Sequence, residues 1–220
     1  MDAAALRGDY IFPAPGRKLD PAACYRRFVS ANIRRQIAPA KPPAIISTIN
    51  VSANMKYGNI VVMGVAGCGK SSAGRLLAEA LNASFIEGDS FHPPENIARM
   101  RAGVPLNDAD RAGWLANLAE RLRQGRADGE RMVLACSALK RRYRDVLRGG
   151  DPDLAFIHLA GERALIAERM RERSGHFMPE SLLDSQFGDL EAPGADERSI
   201  RCDIQQPPAA LLRQILQALA

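Results

Sequence analysis

The chain has few of the residues that build disulfide frameworks, zinc sites or membrane spans. Its four cysteines lie far apart and form no C-x-x-C pair, and its three histidines do not cluster. This usage argues against a disulfide scaffold or a zinc site and favours a reducing, cytoplasmic location. No run of 18 or more apolar residues occurs, so we expect no membrane span. Aromatic residues make up only 5% of the chain and do not cluster.

An excess of positive charge is present in only one part of the chain. The formal net charge is +5, which by itself would suggest nucleic acid as a partner. Residues 1–54, however, contain eight Lys and Arg against three Asp and Glu, whereas residues 55–220 contain 22 of each. The larger part is therefore neutral, and with so few aromatic residues it is not expected to bind nucleic acid.

The same boundary separates two compositions. Residues 1–54 contain six prolines and little hydrophobic periodicity, whereas regular apolar runs begin soon after Met55. We expect residues 1–54 to be an N-terminal extension outside the domain, either disordered or the product of a misassigned translation start. A tail with a binding role and an organelle-targeting peptide are the alternatives. We expect residues 55–220 to form the domain.

What the chain does contain is a phosphate-binding loop. Residues 64–71 read GVAGCGKS and match the pattern G-x-x-x-x-G-K-[ST]. An apolar, β-branched run at 59–63 precedes the loop and an amphipathic segment at 72–81 follows it, which is the strand–loop–helix order that the motif requires. Its glycines allow backbone N–H groups to converge on an anion at a helix N-terminus. We expect these residues to bind nucleotide phosphates: Gly64, Val65, Ala66, Gly67, Cys68, Gly69, Lys70 and Ser71.

Three side chains near this loop are candidates for the chemistry. Lys70 would reach the β- and γ-phosphates and support catalysis, and the Ser71 hydroxyl would ligate Mg²⁺. A plain glycine-rich turn would explain neither residue. Asp89 ends the second predicted strand and so lies on the same edge of the sheet. Its carboxylate could accept the proton of an attacking hydroxyl, and a helix cap is the alternative.

Strands and helices alternate from residue 59 onward. The pattern predicts strands at 59–63, 83–87, 132–136, 154–159 and 200–204. It predicts helices at 72–81, 94–102, 108–124, 139–148, 162–173 and 208–219. We therefore expect an α/β fold of the phosphate-loop NTPase type, with a parallel five-stranded sheet and helices on both faces.

Cationic side chains recur where the ligands of such a sheet collect. His92 and Arg99 closely follow Asp89 and could contact a polar, anionic substrate, although a turn and a solvated helix face explain them equally well. Lys140 and Arg144 stand four residues apart on a predicted helix and could clamp a carboxylate or phosphate. Ordinary surface charge is the alternative for this pair.

A further arginine pair indicates a mobile lid. Arg169 and Arg173 stand four residues apart near the end of a predicted helix, and SGHFMP at 174–179 then breaks that helix. Arginines on a lid would stabilise the charge of a transferring phosphoryl group. A solvated helix with local ion pairs is the alternative.

Several blocks longer than the phosphate loop resemble the bacterial-type gluconate kinases of the thermoresistant kind. They are MGVAGCGKSS at 63–72, EGDSFHPPENIARM at 87–100, GVPLNDADRAGWL at 103–115, CSALKRRYRDVLR at 136–148, HFMPESLLDSQFGDLEAPGADE at 176–197 and DIQQPP at 203–208. Together they cover nearly all of residues 60–208, and residues 1–54 depart from the family pattern.

This resemblance implies a reaction and a set of partners. The reaction is the ATP-dependent, Mg²⁺-assisted phosphorylation of D-gluconate at its 6-hydroxyl, and its product feeds the pentose phosphate or Entner–Doudoroff route. The fold would be like that of shikimate and adenylate kinases, often as a homodimer. The lid would span roughly 170–190, and the loop at 205–208 would border the adenine. The resemblance assigns substrate or phosphate contacts to Arg99, Arg111, Lys140 and Arg144, and the lid arginines to Arg169 and Arg173.

Two other readings stay open. Another small-metabolite kinase, such as a shikimate or nucleoside monophosphate kinase, is the nearest, and the S-A-L-K-x-x-Y-R-D block separates it from the main reading. A phosphate-loop ATPase or switch usually carries an acid at the end of the third strand. Here that strand ends Leu134-Ala-Cys-Ser137, without an acid, and this disfavours a hydrolytic motor.

Overall fold

A computed structural model of the chain describes residues 58–172 and 181–220. The predicted segments 1–54 and 173–180, including Arg173 and much of the expected lid, lie outside the described residues.

Five short strands form one parallel sheet. They are β1 (Ile60–Met63), β2 (Ser84–Glu87), β3 (Met132–Ala135), β4 (Ala155–Ala160) and β5 (Ser199–Asp203), in the order β2-β3-β1-β4-β5. In the register, Val61 of β1 pairs with Leu134 on one side and Phe156 on the other. All four pairings are parallel. The predicted α/β fold and its five-stranded sheet are confirmed.

Seven helices are described. They are α1 (Lys70–Ala80), α2 (Pro94–Arg101), α3 (Asp108–Ala127), α4 (Arg141–Gly150), α5 (Arg163–Glu172), α6 (Ser181–Asp189) and α7 (Pro208–Leu219), with a 3₁₀ helix at Gly88–Phe91. Helix α6 is not among the predicted helices, because the family resemblance places its residues inside the expected lid. No helix in the described part of the chain is long and apolar enough to cross a membrane.

The central strands are buried on both faces, as a parallel sheet requires. Ile60 and Val62 belong to a core that includes Leu77 of α1 and Ile215 of α7. The neighbouring strand residues Val61 and Met63 are also fully buried. Their side chains point to the opposite face because successive residues of a strand alternate.

Helices α3 and α4 pack closely against each other. A Cβ on Gly150 of α4 would come within 2.1 Å of the Ala119 carbonyl oxygen of α3. Helix α3 begins with a capping box, in which the Asn107 side chain accepts from the Asp110 N–H and the Asp110 carboxylate accepts from the Asn107 N–H, both at 2.9 Å. Trp114 of the same helix is a core residue, 2% exposed.

The sheet order decides where a ligand can bind. Strand β1 lies between β3 and β4, so the connections that leave β1 and β3 diverge to opposite sides. Ligands of open α/β sheets bind at such a point, outside the carboxyl ends of the strands. The segment after β1 is the phosphate-loop sequence at 64–71, and the segment after β2 carries Asp89.

Candidate active site

The phosphate loop connects β1 to α1 in a conformation that needs glycine. Gly64 has φ of 139°, and a Cβ there would come within 2.7 Å of the Leu159 carbonyl oxygen. Gly69, with φ of 97°, is the N-cap of α1, and no side chain caps this helix end. The first backbone N–H groups of α1 therefore remain available to an anion. The Lys70 ammonium donates to the Val65 carbonyl at 2.9 Å.

Two cavities flank this loop. The first, of about 340 Å³, is lined by Ala66, Lys70, Ser71 and several titratable side chains from elsewhere in the chain, and we call it the polar cavity. The second, of about 500 Å³, is lined by Cys68 and by residues of α1 and α7, and we call it the apolar cavity. Three residues line both cavities: Gly67, Gly69 and Ser72. The loop is thus the wall that the two cavities share.

The polar cavity has two carboxylates beside the loop. Asp89 lies in the 3₁₀ helix that follows β2, and Glu87 is the last residue of β2. Gly88 permits this arrangement, because a Cβ there would come within 2.5 Å of the Ala135 carbonyl oxygen. Burial raises the pKa of Glu87 despite a hydrogen bond with the Ser71 side chain, and the charge of Asp89 raises it further.

His92 and Arg111 line the same cavity, and each has a buried nitrogen that makes no hydrogen bond within the described part of the chain. The His92 ring stacks on Trp114, with 4.1 Å between ring centroids, and the Trp114 indole donates to the Gly88 carbonyl at 2.8 Å. Among the described residues, neither His92 Nδ1 nor Arg111 Nη1 has a hydrogen-bond partner, although both are buried. Burial lowers the pKa of His92 to about 4, so the imidazole is neutral near pH 7. Two buried nitrogens that lack a hydrogen bond in a cavity are what a polar ligand would satisfy.

Helix α6 joins this cavity to a cluster of charges. Asp189 lies 3.0 Å from the Lys140 ammonium and 3.6 Å from Arg111 Nη1. Lys140 also contacts Asp108 at 3.1 Å, and the Tyr143 hydroxyl donates to Asp108. Hydrogen bonding to Asp189 raises the pKa of Lys140. Lys140 is therefore cationic and close to Arg111, but it is not one of the side chains that line the polar cavity.

The apolar cavity differs in its side chains. Its walls include Leu76, Leu211, Leu212 and Ile215, and Arg169 of α5 lies at its edge. The Arg169 guanidinium donates to the Ile204 carbonyl at 2.8 Å. A flat, mostly apolar group with a charged tail directed at the loop would suit this space.

Comparison with known proteins agrees with these observations. A profile of the family described as Shikimate kinase matches residues 66–218. The gluconokinase of Gluconobacter oxydans is 46% identical over 158 residues, which are 72% of this chain and 89% of that relative. The chain belongs to the gluconokinase family. It is therefore a phosphate-loop kinase with a nucleotide as one substrate.

Solved structures of relatives show the same fold. A gluconokinase from Sinorhizobium meliloti 1021 is 50% identical, with a TM-score of 0.69, and the match covers 76% of this chain and 93% of that one. An unliganded sugar kinase from Janibacter sp. HTCC2649 is 47% identical, with a TM-score of 0.72, covering 74% and 94%. The gluconokinase-family blocks at 60–208 thus lie on a fold known from experiment.

The structure brings together most of the residues predicted for the site. The loop residues Lys70 and Ser71 line the polar cavity with Asp89, His92 and Arg111. Arg169 lines the apolar cavity.

Besides Lys140, two more predicted substrate residues do not line the polar cavity. Arg144 is fully buried and donates to both carboxylate oxygens of Glu197, at 2.6 and 2.8 Å, and to the carbonyls of Ala138, Leu139 and Glu191. The structure therefore does not place Arg144 at the polar cavity, and its substrate contact stays a prediction. Lys140 is the N-cap residue that precedes α4, whereas Arg144 lies within α4 on its buried side.

Arg99 is the second displaced residue. It pairs with Asp110 at 2.7 Å, its side chain is 40% exposed, and it does not line the polar cavity. The solvated-helix alternative describes its position better than the predicted substrate contact.

Glu87 and Gln186 line the polar cavity but are not among the residues predicted for the site. The sequence pattern predicts Glu87 only as the end of a strand, although its position two residues before Asp89 indicates a second acid on the same rim. Gln186 accepts from the Ala66 N–H at 2.7 Å. No local pattern could have found Gln186, because it lies 120 residues from its partner.

Proposed function

We propose that this protein transfers the γ-phosphoryl group of ATP to the 6-hydroxyl of D-gluconate, giving ADP and 6-phospho-D-gluconate. One observation carries the proposal: the phosphate loop is the wall between an apolar cavity and a polar cavity that contains Asp89. A nucleotide whose base occupies the apolar cavity would extend its phosphates along the loop. Its terminal phosphoryl group would then face the polar cavity and an acceptor hydroxyl there.

The nucleotide half uses shape and backbone charge. The adenine would pack against Leu76, Leu211 and Leu212 of the apolar cavity, with Arg169 near the phosphates. The uncapped start of α1 would receive the β-phosphate. Lys70 would exchange the Val65 carbonyl for the β- and γ-phosphate oxygens and stabilise the charge of the transition state.

The side chains at the start of α1 also suit a magnesium ion. Ser71, Glu87 and Asp89 offer only oxygen ligands and line the same cavity, and Mg²⁺ prefers such ligands. Among the described residues no group of three or more His, Cys, Asp or Glu forms a metal site by itself. This is compatible with Mg²⁺, which usually keeps several waters and binds phosphate oxygens. When bound, the ion would neutralise phosphate charge, with Ser71 as its protein ligand and Glu87 nearby.

The acceptor half suits a sugar acid. Gluconate has one carboxylate and several hydroxyls. Arg111 Nη1, a buried donor without a hydrogen-bond partner in the described part of the chain, could bind the carboxylate, and the neutral imidazole of His92 could bind a hydroxyl. Lys140 adds positive charge close to Arg111, because both side chains contact Asp189.

Asp89 would act at the reacting hydroxyl. As the 6-oxygen bonds to the γ-phosphorus, the bond from that phosphorus to the β–γ bridging oxygen breaks and ADP is the leaving group. Asp89 accepts the proton of the 6-hydroxyl and later releases it to solvent. The sugar acid phosphate formed would feed the pentose phosphate or Entner–Doudoroff route.

A coupled assay of ADP release by the full chain tests this proposal. We expect rapid, Mg²⁺-dependent turnover with D-gluconate and little with shikimate, AMP or glucose. Strong turnover with shikimate or AMP and none with gluconate would replace the proposal with another small-metabolite kinase. ADP release of equal rate without any acceptor would indicate an ATPase instead.

Three further points rest on the family resemblance. We propose that residues 55–220 form the complete catalytic domain, that the enzyme is cytoplasmic, and that it forms a homodimer. The same assay on residues 55–220 beside the full chain tests the first point. Cell fractionation and analytical ultracentrifugation test the other two.

A further inference from the structure

Helix α6 reaches the phosphate loop through one side chain that the reaction above does not use. The Oε1 atom of Gln186 accepts a hydrogen bond from the Ala66 N–H at 2.7 Å. This is a short, direct bond between a side chain and a loop amide. Nucleotide phosphates are bound by the amides of such loops. Gln186 therefore occupies a donor that an anion would otherwise use.

The position of Ala66 identifies which phosphate is concerned. Ala66 lines the polar cavity and not the apolar cavity, whereas Gly67 and Gly69 line both. A nucleotide that extends from the apolar cavity would pass Gly67 and Gly69 before it reaches Ala66. The Ala66 N–H thus faces the place of the terminal phosphoryl group, which a nucleoside triphosphate has and a diphosphate lacks.

The same helix reaches the acceptor half of the site. Asp189 follows Gln186 by three residues, so the two side chains lie on neighbouring positions of one helical face. Asp189 contacts Lys140 at 3.0 Å and lies 3.6 Å from Arg111 Nη1. One short helix therefore holds the loop amide at one point and the cationic pair at another.

We propose that Gln186 changes its hydrogen bonding when the terminal phosphoryl group is present, and that α6 couples this change to Arg111 and Lys140. An arriving phosphoryl oxygen takes the Ala66 N–H and repels the Gln186 carbonyl oxygen. The amide then turns and donates its Nε2 hydrogens to the phosphoryl group, because a primary amide can serve as acceptor or donor. ADP leaves the bond to Ala66 intact.

The proposed turn of the amide has a consequence for the acceptor. Turning the amide alone would not move the backbone, so the coupling requires that the repulsion of Gln186 also shifts α6. Asp189, on the same helix, then moves with it, and its contacts with Lys140 and Arg111 weaken. Arg111 and Lys140 then bind an anionic acceptor more tightly when a triphosphate is bound. The two substrates would bind with positive coupling, and the diphosphate product would release the acceptor site. This second step rests on the proposed function, since it takes gluconate as the acceptor.

Isothermal titration calorimetry of the full chain with AMPPNP and with ADP tests the first step. Gln186→Glu keeps an acceptor for the Ala66 N–H but adds a negative charge that cannot donate. We expect this variant to bind AMPPNP about tenfold or more weakly than the wild type, with ADP affinity changed by less than about threefold. Gln186→Leu should also lose affinity for AMPPNP more than for ADP. Gln124→Glu, the same change on the exposed face of α3, should alter neither affinity.

Equal losses for both nucleotides would overturn the proposal. Such a result, with a lowered melting temperature, would mean that Gln186 only fastens α6 to the loop. Unchanged AMPPNP affinity in both Gln186 variants would overturn it as well. Because these titrations contain no gluconate, they are decisive even if gluconate is not the acceptor.

The second step is tested by titrating gluconate into the AMPPNP and ADP complexes. In the wild type we expect gluconate to bind about fivefold or more tightly beside AMPPNP, and in Gln186→Leu this ratio should fall to about two or less. Asp189→Asn should also reduce the ratio while AMPPNP still binds. Equal gluconate affinities beside both nucleotides in the wild type would refute the proposed coupling through α6. No gluconate binding at all would refute the proposed function and leave the AMPPNP result standing.

Discussion

The polar and apolar cavities share one wall and contrast in almost every other respect. The apolar cavity is built mainly from aliphatic side chains of α1 and α7, with Arg169 at its edge. The polar cavity gathers Glu87, Asp89, His92 and Arg111 from segments that are separate in the sequence. Binding in the first depends on the apolar area removed from water, which tolerates small changes of shape. Binding and chemistry in the second depend on single polar atoms, whose loss costs far more.

Substitution of Asp89 should lower kcat more than any other change in the polar cavity. Asp89→Asn keeps the size of the side chain but removes the proton acceptor. We expect kcat to fall by about 10²- to 10⁴-fold, with little change in nucleotide affinity by calorimetry. Asp128→Asn, at the exposed C-cap of α3, is the matched control. Near wild-type kcat for Asp89→Asn would remove Asp89 from the catalytic role.

Arg144 should prove essential to the scaffold rather than to either cavity. Burial alone would raise the pKa of Glu197, but hydrogen bonds from Arg144, the Gly194 N–H and Arg148 hold that pKa at about 2. Arg144→Met leaves a buried carboxylate without its main partner, and we expect a loss of about 3 to 5 kcal/mol in the free energy of unfolding by urea titration.

Two variants sharpen the test of Arg144. The double variant Arg144→Met/Glu197→Leu should recover part of the lost free energy of unfolding, since no buried charge remains unpaired. Arg142→Met, at a side chain 59% exposed on the same helix, should change this free energy by about 1 kcal/mol or less. A gluconate KM that rises in Arg144→Met without loss of stability would support the sequence-based prediction of a substrate contact.

Arg111 and Arg99, two of the three arginines predicted for substrate binding, should differ in their effect on the gluconate KM. Arg111→Met removes a buried donor of the polar cavity, and we expect the gluconate KM to rise about 10- to 100-fold while the ATP KM stays nearly constant. Arg99→Met removes an ion pair outside the cavity and should leave both KM values nearly unchanged. Steady-state kinetics with each substrate varied in turn measures both effects. Equal effects of the two substitutions would contradict this placement.

His158 provides a test that involves neither flanking cavity. It lies on β4, 4% exposed, and burial with the nearby charges of Arg201 and Arg144 lowers its pKa to about 4. The unfolded chain takes up a proton near pH 6.5 and the folded chain does not. Stability is therefore complete above pH 6.5 and declines as the pH falls towards 4, by on the order of 1 to 3 kcal/mol. Urea unfolding at several pH values should show a flatter decline for His158→Gln, and an unchanged slope would contradict the shift.

Substitutions in the apolar cavity should have the smallest effect on the kinetic constants. Leu212→Ala removes aliphatic surface at about 0.8 kcal/mol per buried CH₂, so we expect the ATP KM to rise roughly three- to tenfold with the gluconate KM unchanged. Leu212→Met keeps a similar apolar area and should stay close to the wild type. A fall in kcat as large as that of Asp89→Asn would mean that the cavities do not divide binding from chemistry in this way.

Local patterns predicted the framework well. The five strands differ from their predicted bounds by at most one residue at either end, because continuous apolar runs bounded by polar residues are a local signal. The start of α3 is also a local feature, because its capping box joins Asn107 and Asp110, three residues apart. Helix α6 was missed because its nine residues include Gly188 and follow Pro179, which suggested a loop.

The contributions of sequence and tertiary structure differ in how far apart in the chain the interacting residues lie. The sequence by itself determined the phosphate loop, the strand order along the chain and the rim position of Asp89, since these depend on neighbours a few residues away. Only the tertiary structure decided that Arg111 faces the cavity while Arg144 is buried against Glu197, and that Gln186 meets Ala66. Those contacts join residues 53 and 120 positions apart. They depend on how helices pack against the sheet, which local periodicity does not specify.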